Sequence, residues 1–263
     1  MRKKKLNIAI LGLGEAGSCF ANDLAEMGVS VVGYDPVPLR VLHPNVRLAA
    51  SNPEAAAESD IILSVNLASV GEQVATEVLP VLRRGQVFAE MNTASPQTKK
   101  RVEEIINESG AETVDVAIMA PVPPKGIKTP FFISGPGALK FEETLIPFGL
   151  DITIIGGHVG EAATRKLLRS VVYKGFAAVI GEAVAAGEAL GLEHYIREQI
   201  RSLIGGDNAI IDRFLEGSKT HALRRSHELD AVVAMLTDLK LEPVMSKATL
   251  KSLQNLIVQN QTQ

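Results

Sequence analysis

Asn7-Ile8-Ala9-Ile10-Leu11-Gly12-Leu13-Gly14-Glu15-Ala16-Gly17 is the stretch on which the reading of this chain turns. An apolar run ends in G-x-G-x-x-G, and a helical pattern begins at once. The first glycine permits the tight turn, the second lets a pyrophosphate approach the backbone, and the third lets helix and strand pack closely. The helix N-terminus then offers N–H groups and a positive dipole end to an anion. Such a run is a dinucleotide fingerprint only inside a βαβ unit that leads to an acidic residue. That context is present. Val29-Ser30-Val31-Val32-Gly33-Tyr34 reads as the second strand, and it ends at Asp35, where a carboxylate would accept hydrogen bonds from an adenosine ribose.

Working outward, the pattern predicts strands over 6–11, 29–34, 60–65, 86–91, 112–118, 130–134 and 151–155. Helices fit between them at 15–27, 53–58, 69–82, 96–109 and 138–147. Short apolar strands alternating with helices imply an α/β fold, a Rossmann-type doubly wound sheet covered on both faces. Pairing after about residue 110 is expected to include antiparallel strands. Gly12, Asp35, Asn66 and Asn92-Thr93 all fall just past a strand end, where ligands bind in such sheets.

Beyond Gly156-Gly157 the pattern turns helical. A proline-free, alanine-rich stretch runs from Gly160 to about Gly191, with Gly175, Gly181 and Gly187 inside it, a spacing that suggests close helix–helix approach. Helices over 193–204, 207–215, 219–239 and 243–258 complete the chain. The expected organisation is a nucleotide-binding domain over 1–156 and an all-α domain over 157–263, joined by the long helix.

The composition narrows the function classes. A formal net charge of −3 over 263 residues argues against broad attraction to nucleic acid or membrane. The three tyrosines and absent tryptophan supply few stacking platforms for bases. No uninterrupted apolar segment reaches the roughly 18 residues of a membrane span. Cys19 is the single cysteine, so no internal disulfide forms, and a reducing cytoplasmic location is expected. Five scattered histidines without an H-x-x-x-H pair give no metal site.

Several constellations carry chemistry. Lys166, Ser170, Tyr173 and Lys174 share one face of the long helix. A lysine there could exchange a proton with a substrate oxygen, its pKa lowered by burial and by Arg165, Arg169 and Lys174. Taken alone, the same pattern is a solvated basic helix face. In Glu90-Met91-Asn92-Thr93-Ala94-Ser95-Pro96, Thr93 or Ser95 could cap the following helix, with Pro96 at its first position. Capping leaves Asn92 unexplained, and Asn92 and Thr93 sit where an amide and a hydroxyl could face a nicotinamide or a substrate. Ala120-Pro121-Val122-Pro123-Pro124-Lys125-Gly126 is a stiff loop that either walls a pocket or makes a rigid turn. His221, Arg224, Arg225 and His227 form a cationic cluster, either a solvated face or an anion site.

Together these residues resemble the β-hydroxyacid dehydrogenase superfamily, which includes 6-phosphogluconate dehydrogenase, 3-hydroxyisobutyrate dehydrogenase and the imine reductases. The resemblance covers nearly the whole chain. The family's G-L-G-x-x-G is matched by Gly12 to Gly17. Its D-x-S-T-x-x-P is similar to Glu90 to Pro96, keeping Thr93 and Pro96. Its G-x-G-x-x-x-K is similar to Gly160 to Lys166, with Ala162 at the second glycine, which places Lys166 at the catalytic lysine. Three departures stand out. The D-A-P-V-S-G-G loop that holds a substrate carboxylate corresponds to Asp115-Val116-Ala117-Ile118-Met119-Ala120-Pro121, without the Ser-Gly-Gly. The asparagine four residues after the lysine is Ser170, and the later K-D-L is His227-Glu228-Leu229. N-T-A-S-P, A-P-V-P and the R-R-x-x-E of Arg224 to Glu228 resemble a subgroup described by a 6-phosphogluconate dehydrogenase-like C-terminal domain.

The resemblance implies an NAD(P)-dependent dehydrogenase acting on CH–OH, transferring hydride between a nicotinamide cofactor and a small hydroxy-acid-like substrate. The cofactor would lie on Gly12, Leu13, Gly14, Glu15, Ala16, Gly17, Tyr34, Asp35, Asn66, Leu67 and Thr93. Asp35 would repel a 2′-phosphate and favour NAD, while Arg40 keeps NADP open. Lys166 would be the general acid/base. Asn92, Ser170 and Lys174 would orient the substrate, and Arg224 or His227 would pair with its anion. The family's helical domain implies a homodimer. An imine substrate, as in the imine reductases, and a nucleotide-binding scaffold without turnover remain the alternatives.

Overall fold

The protein, described here by a computed structural model over residues 6–37, 40–205 and 207–262, divides into two compact units, Met1–Lys166 and Leu167–Gln263. The first unit is built on one eight-stranded sheet. Its strands are β1 (Asn7–Leu11), β2 (Ser30–Tyr34), β3 (Val46–Leu48), β4 (Ile61–Ser64), β5 (Val87–Glu90), β6 (Glu112–Ile118), β7 (Phe131–Ser134) and β8 (Ile152–Gly156). Their order is β3-β2-β1-β4-β5-β6-β7-β8. Only β6 and β7 pair antiparallel, and β8 returns parallel to β7. The chain leaves β1 toward β2 and β3, then crosses back to β4 on the other side. The C-terminal ends of β1 and β4 therefore flank the switch point where such sheets bind ligands.

Residue alternation along the strands sets the layers. Ile8 and Ile10 of β1 face one side, with Phe20 and Leu24 of α1 (Glu15–Glu26) and Phe141 and Leu145 of α5 (Ala138–Leu145). Ala9 and Leu11 face the other, with α2 (Asn52–Ala57), α3 (Gly71–Val78) and α4 (Pro96–Asn107). Both faces are covered, so the central strands are apolar throughout. The expected elements are found with ends shifted by a few residues, and β3 is an addition. Its three residues are partly or largely exposed and carry too short a pattern to register as a strand.

The second unit is helical: the greater part of α6 (Glu161–Ala189), then α7 (Glu193–Ile204), α8 (Asn208–Thr220), α9 (Ala222–Asp238) and α10 (Val244–Thr262). One core joins Leu167 to Leu229, Val232 and Met235 of α9 and Leu253 of α10. A second joins Ala177, Ile180 and Val184 to Ile200, Ile211 and Phe214. Of the three glycines in α6 only Gly187 marks a close approach, to Ile196 of α7. Gly175 has nothing within 4 Å of where a Cβ would stand. It lies on a face whose apolar side chains Leu168, Val172, Phe176 and Val179 are all exposed. By length and hydropathy α6 also qualifies as a membrane span, yet it buries Ser170 and Lys174 within the helical unit.

The division falls after Lys166 rather than at 156. The reason is local: the first turn of α6 is tied to the sheet. Asp115 Oδ2 on β6 accepts from the N–H groups of Gly160 (3.1 Å) and Ala163 (2.9 Å), and Ser134 Oγ on β7 accepts from that of Ala162 (3.1 Å). These side chains satisfy the donors that a helix N-terminus leaves open.

Candidate active site

The glycine run forms the turn its sequence requires. Gly12 has φ +104, and a Cβ there would strike the carbonyl oxygen of Val65. A Cβ on Gly17 would strike the carbonyl oxygen of Gly12, so strand and helix meet backbone to backbone. At Gly14 nothing lies within 4 Å of the Cβ position, which leaves room for a ligand at the N-cap of α1. No side chain caps that helix, so its first-turn N–H groups are aimed at whatever occupies the space. A bulky dianion such as a pyrophosphate fits this cradle.

Asp35 follows β2 directly. Its carboxylate accepts from Leu13 N (2.8 Å) and Val37 N (2.9 Å), locking the glycine loop to the end of β2. Each oxygen keeps a second lone-pair direction, so a ribose hydroxyl can still donate to it. Tyr34 packs against the second sheet layer, and Leu67 is exposed just beyond β4.

Asn66, Asn92 and Thr93 stand past the ends of β4 and β5. Asn66 Nδ2 donates to Ser64 Oγ (3.0 Å) and Leu11 O (3.4 Å), and its Oδ1 accepts from Asn92 Nδ2 (2.8 Å). Asn92 is 6% exposed, and its Oδ1 has no hydrogen-bond partner among the described residues. A buried acceptor left open is costly unless a ligand fills it. Ser95 caps α4, its Oγ accepting from Thr98 N (3.2 Å), with Pro96 at the first helical position. Thr93 is therefore released from capping, and its Oγ1 lies 2.7 Å from Nζ of Lys166. The stiff loop at 120–126 is a turn: Val122 joins the first core layer, and Ile127 N just beyond donates to Asp23 of α1 (2.7 Å).

Behind this group lies a buried ion cluster to which the sequence reading assigned no role. Glu90 and Asp115 are register partners on adjacent strands β5 and β6. Two carboxylates side by side repel unless a cation stands between them. Lys99 of α4 is that cation, in contact with Glu90 Oε2 and 3.1 Å from Asp115 Oδ1, and also donating to Glu90 O (2.8 Å). Burial works to lower the Lys99 pKa, but the two carboxylates hold it above its ordinary value, while burial pushes Glu90 upward against the pull of Lys99. The signal was present in the sequence. Lys99 falls three and seven residues before Val102 and Ile106, on the apolar face of α4, and both acids interrupt buried strands.

In the second unit Ser170, Lys174 and Arg224 gather around Glu228. Lys174 Nζ donates to Ser170 Oγ (3.0 Å) and Glu228 Oε2 (2.6 Å), and Arg224 Nη1 to Glu228 Oε1 (2.7 Å). Burial lowers the Lys174 pKa by more than Glu228 restores. Arg225 is buried beside them, donating to Ser218 Oγ (2.8 Å) and lying over the Tyr173 ring. His227, next to Glu228 in the chain, is exposed. Of the basic cluster over 221–227, Arg224 is paired with Glu228, which it shares with Lys174 of α6.

A glycine cradle at the switch point of a doubly wound sheet, followed by an all-helical unit, defines a dinucleotide-binding protein of two-unit build. Residues 7–122 match the NAD binding domain of 6-phosphogluconate dehydrogenase, and residues 188–256 match a domain of unknown function, DUF1932. An uncharacterized 28.5 kDa protein of Methanothermus fervidus is 27% identical over 93% of this chain and 96% of its own length. A probable 3-hydroxyisobutyrate dehydrogenase of Mycobacterium bovis is 27% identical over 70% of the chain, which spans 65% of that protein. In fold the chain is similar to Mycobacterium tuberculosis 3-hydroxyisobutyrate dehydrogenase, with a TM-score of 0.78 and 20% identity over 97% of this chain and 94% of that one. These matches support the β-hydroxyacid dehydrogenase superfamily as the group this chain resembles in both of its parts.

Proposed function

We propose that this protein oxidises the CH–OH group of a small hydroxy acid, or reduces the matching carbonyl, with NAD as cofactor and Lys166 as general acid/base. The observation that carries the proposal is the 2.7 Å contact of Lys166 Nζ with Thr93 Oγ1, close in sequence to the open acceptor of Asn92 and past the strand ends of the glycine cradle's sheet. Bound there, the nicotinamide supplies the hydride acceptor or donor. Lys166 takes the proton from the substrate hydroxyl in one direction and returns it in the other. The Thr93 hydroxyl holds Nζ in place for that transfer. Ser170, Lys174, Arg224 and His227 are assigned to the substrate: charge-assisted donors for its carboxylate, in place of the missing Ser-Gly-Gly. Asp35 supports NAD over NADP, because a carboxylate repels a 2′-phosphate. The exposed Leu168, Val172, Phe176 and Val179 stripe on α6 supports a homodimer, checked by sedimentation at twice the monomer mass.

The test pairs calorimetry with turnover. NADH is expected to bind more tightly than NADPH, and oxidation of short 3-hydroxy acids to reduce NAD. Tighter NADPH binding would overturn the Asp35 assignment. Turnover of imines in preference to hydroxy acids would replace the substrate class, and dinucleotide binding without turnover across both panels would make the chain a scaffold.

A further inference from the structure

Asn92 leaves its oxygen, not its nitrogen, buried without a partner among the described residues, and the surroundings impose that choice. Its Nδ2 faces two acceptors, Asn66 Oδ1 at 2.8 Å and Glu90 Oε1 in direct contact, and Glu90 Oε1 also accepts from Asn92 N at 3.3 Å. A carboxylate can only accept, so an amide turned the other way would place oxygen against oxygen. Asn66 adds a weaker hold, since its own orientation rests on Ser64 Oγ and a longer 3.4 Å contact to Leu11 O. Glu90 would not stay ionised and fixed in a buried strand by itself. Lys99 pins its second oxygen, and the same ammonium pins Asp115, which holds the first turn of α6 just ahead of Lys166.

We infer that Lys99 and Glu90 are positioning residues that commit Asn92 to accepting a hydrogen bond from the ligand, so that this position selects a ligand carrying an N–H donor and rejects one offering only an acceptor. The inference rests on the dinucleotide reading of the site. Asn92 and Asn66 follow β5 and β4, on the side of the switch point away from Asp35 and β2. With the adenosine ribose at Asp35, a bound dinucleotide would direct its nicotinamide end toward these two strands, where the carboxamide would offer an N–H.

The test compares binding of NADH with its reduced 3-acetylpyridine analogue, in which a methyl ketone replaces the carboxamide and removes the N–H. The whole wild-type protein is expected to prefer NADH by about fivefold to tenfold, the worth of one hydrogen bond. Lys99→Met alone leaves two buried carboxylates facing each other and should lower the melting temperature. Lys99→Met with Glu90→Gln removes one charge of each sign and should recover much of that stability. A glutamine at 90 can offer its own N–H to Asn92, so the amide is free to turn. In this double variant the preference for NADH is expected to fall to within about twofold.

A merely structural role predicts the opposite coupling, with discrimination recovering together with stability. A double variant that keeps the wild-type preference overturns the inference, as does a wild type that binds both analogues equally. If the wild type binds neither dinucleotide, the proposed function fails and takes this inference with it.

Discussion

The two buried ion clusters are organised with opposite excess charge. In the sheet unit one cation, Lys99, stands between two carboxylates, Glu90 and Asp115. In the helical unit one carboxylate, Glu228, stands between Lys174 and Arg224, with Arg225 beside them. The surplus negative charge of the first is taken up inside the protein, because Asp115 Oδ2 receives backbone N–H groups at the positive end of α6. The surplus positive charge of the second reaches the surface, since the Arg224 side chain is 57% exposed. The difference separates a cluster whose charge is spent on fixing geometry from one that leaves positive charge at the surface.

That contrast can be broken in order of expected effect. Lys99→Met should destabilise the protein by about 3–5 kcal/mol, the cost of removing one member of a fully buried ion set. Calorimetric unfolding reads it, and a loss near zero would mean that the carboxylates find another partner. Arg224→Ala should do the reverse. Its exposed pair with Glu228 contributes roughly 0–1 kcal/mol to stability, so the melting temperature should barely move. The KM for an anionic substrate should rise about tenfold, the worth of a charged hydrogen bond. A fall in kcat without change in KM would remove Arg224 from anion binding.

The smallest effect is a pH dependence at Lys174. Burial holds its folded pKa below the ordinary 10.5. Between those two values the unfolded chain binds the proton more tightly, so stability from this group rises with pH through that window. The stability difference between wild type and Lys174→Met should therefore shift in favour of the wild type as pH climbs toward 10.5. Parallel pH profiles for the two proteins would contradict the assignment.

Much of the sheet unit was legible because its signals are local. The glycine run, the strand ending at Asp35 and the Ser95-Pro96 helix start each act through neighbours in sequence, and each appears as such in the fold. Strand β3 escaped because three partly exposed residues carry no period. Lys99, Glu90 and Asp115 escaped for another reason: a lysine on an apolar helix face makes sense only beside the two acids, and the register of β5 with β6 is a tertiary fact. In the helical unit the cations were noticed, and Glu228 only as a member of the R-R-x-x-E motif, not as their partner. The sequence displays four basic residues over 221–227, but that the adjacent carboxylate Glu228 pairs Arg224 with Lys174 of α6 is a tertiary fact. A helical glycine spacing likewise promised three close approaches, and only Gly187 makes one.

The central claim concerns Lys166, whose Nζ donates to Thr93 Oγ1 at the tip of the sheet unit. Lys166→Ala, assayed for turnover on the best hydroxy acid and for NADH binding by calorimetry, tests it most directly. Turnover is expected to fall by about 10²–10⁴-fold, the contribution of a positioned general acid/base, with NADH affinity unchanged within about twofold. A variant that binds NADH normally and turns over at the wild-type rate would contradict the role of Lys166.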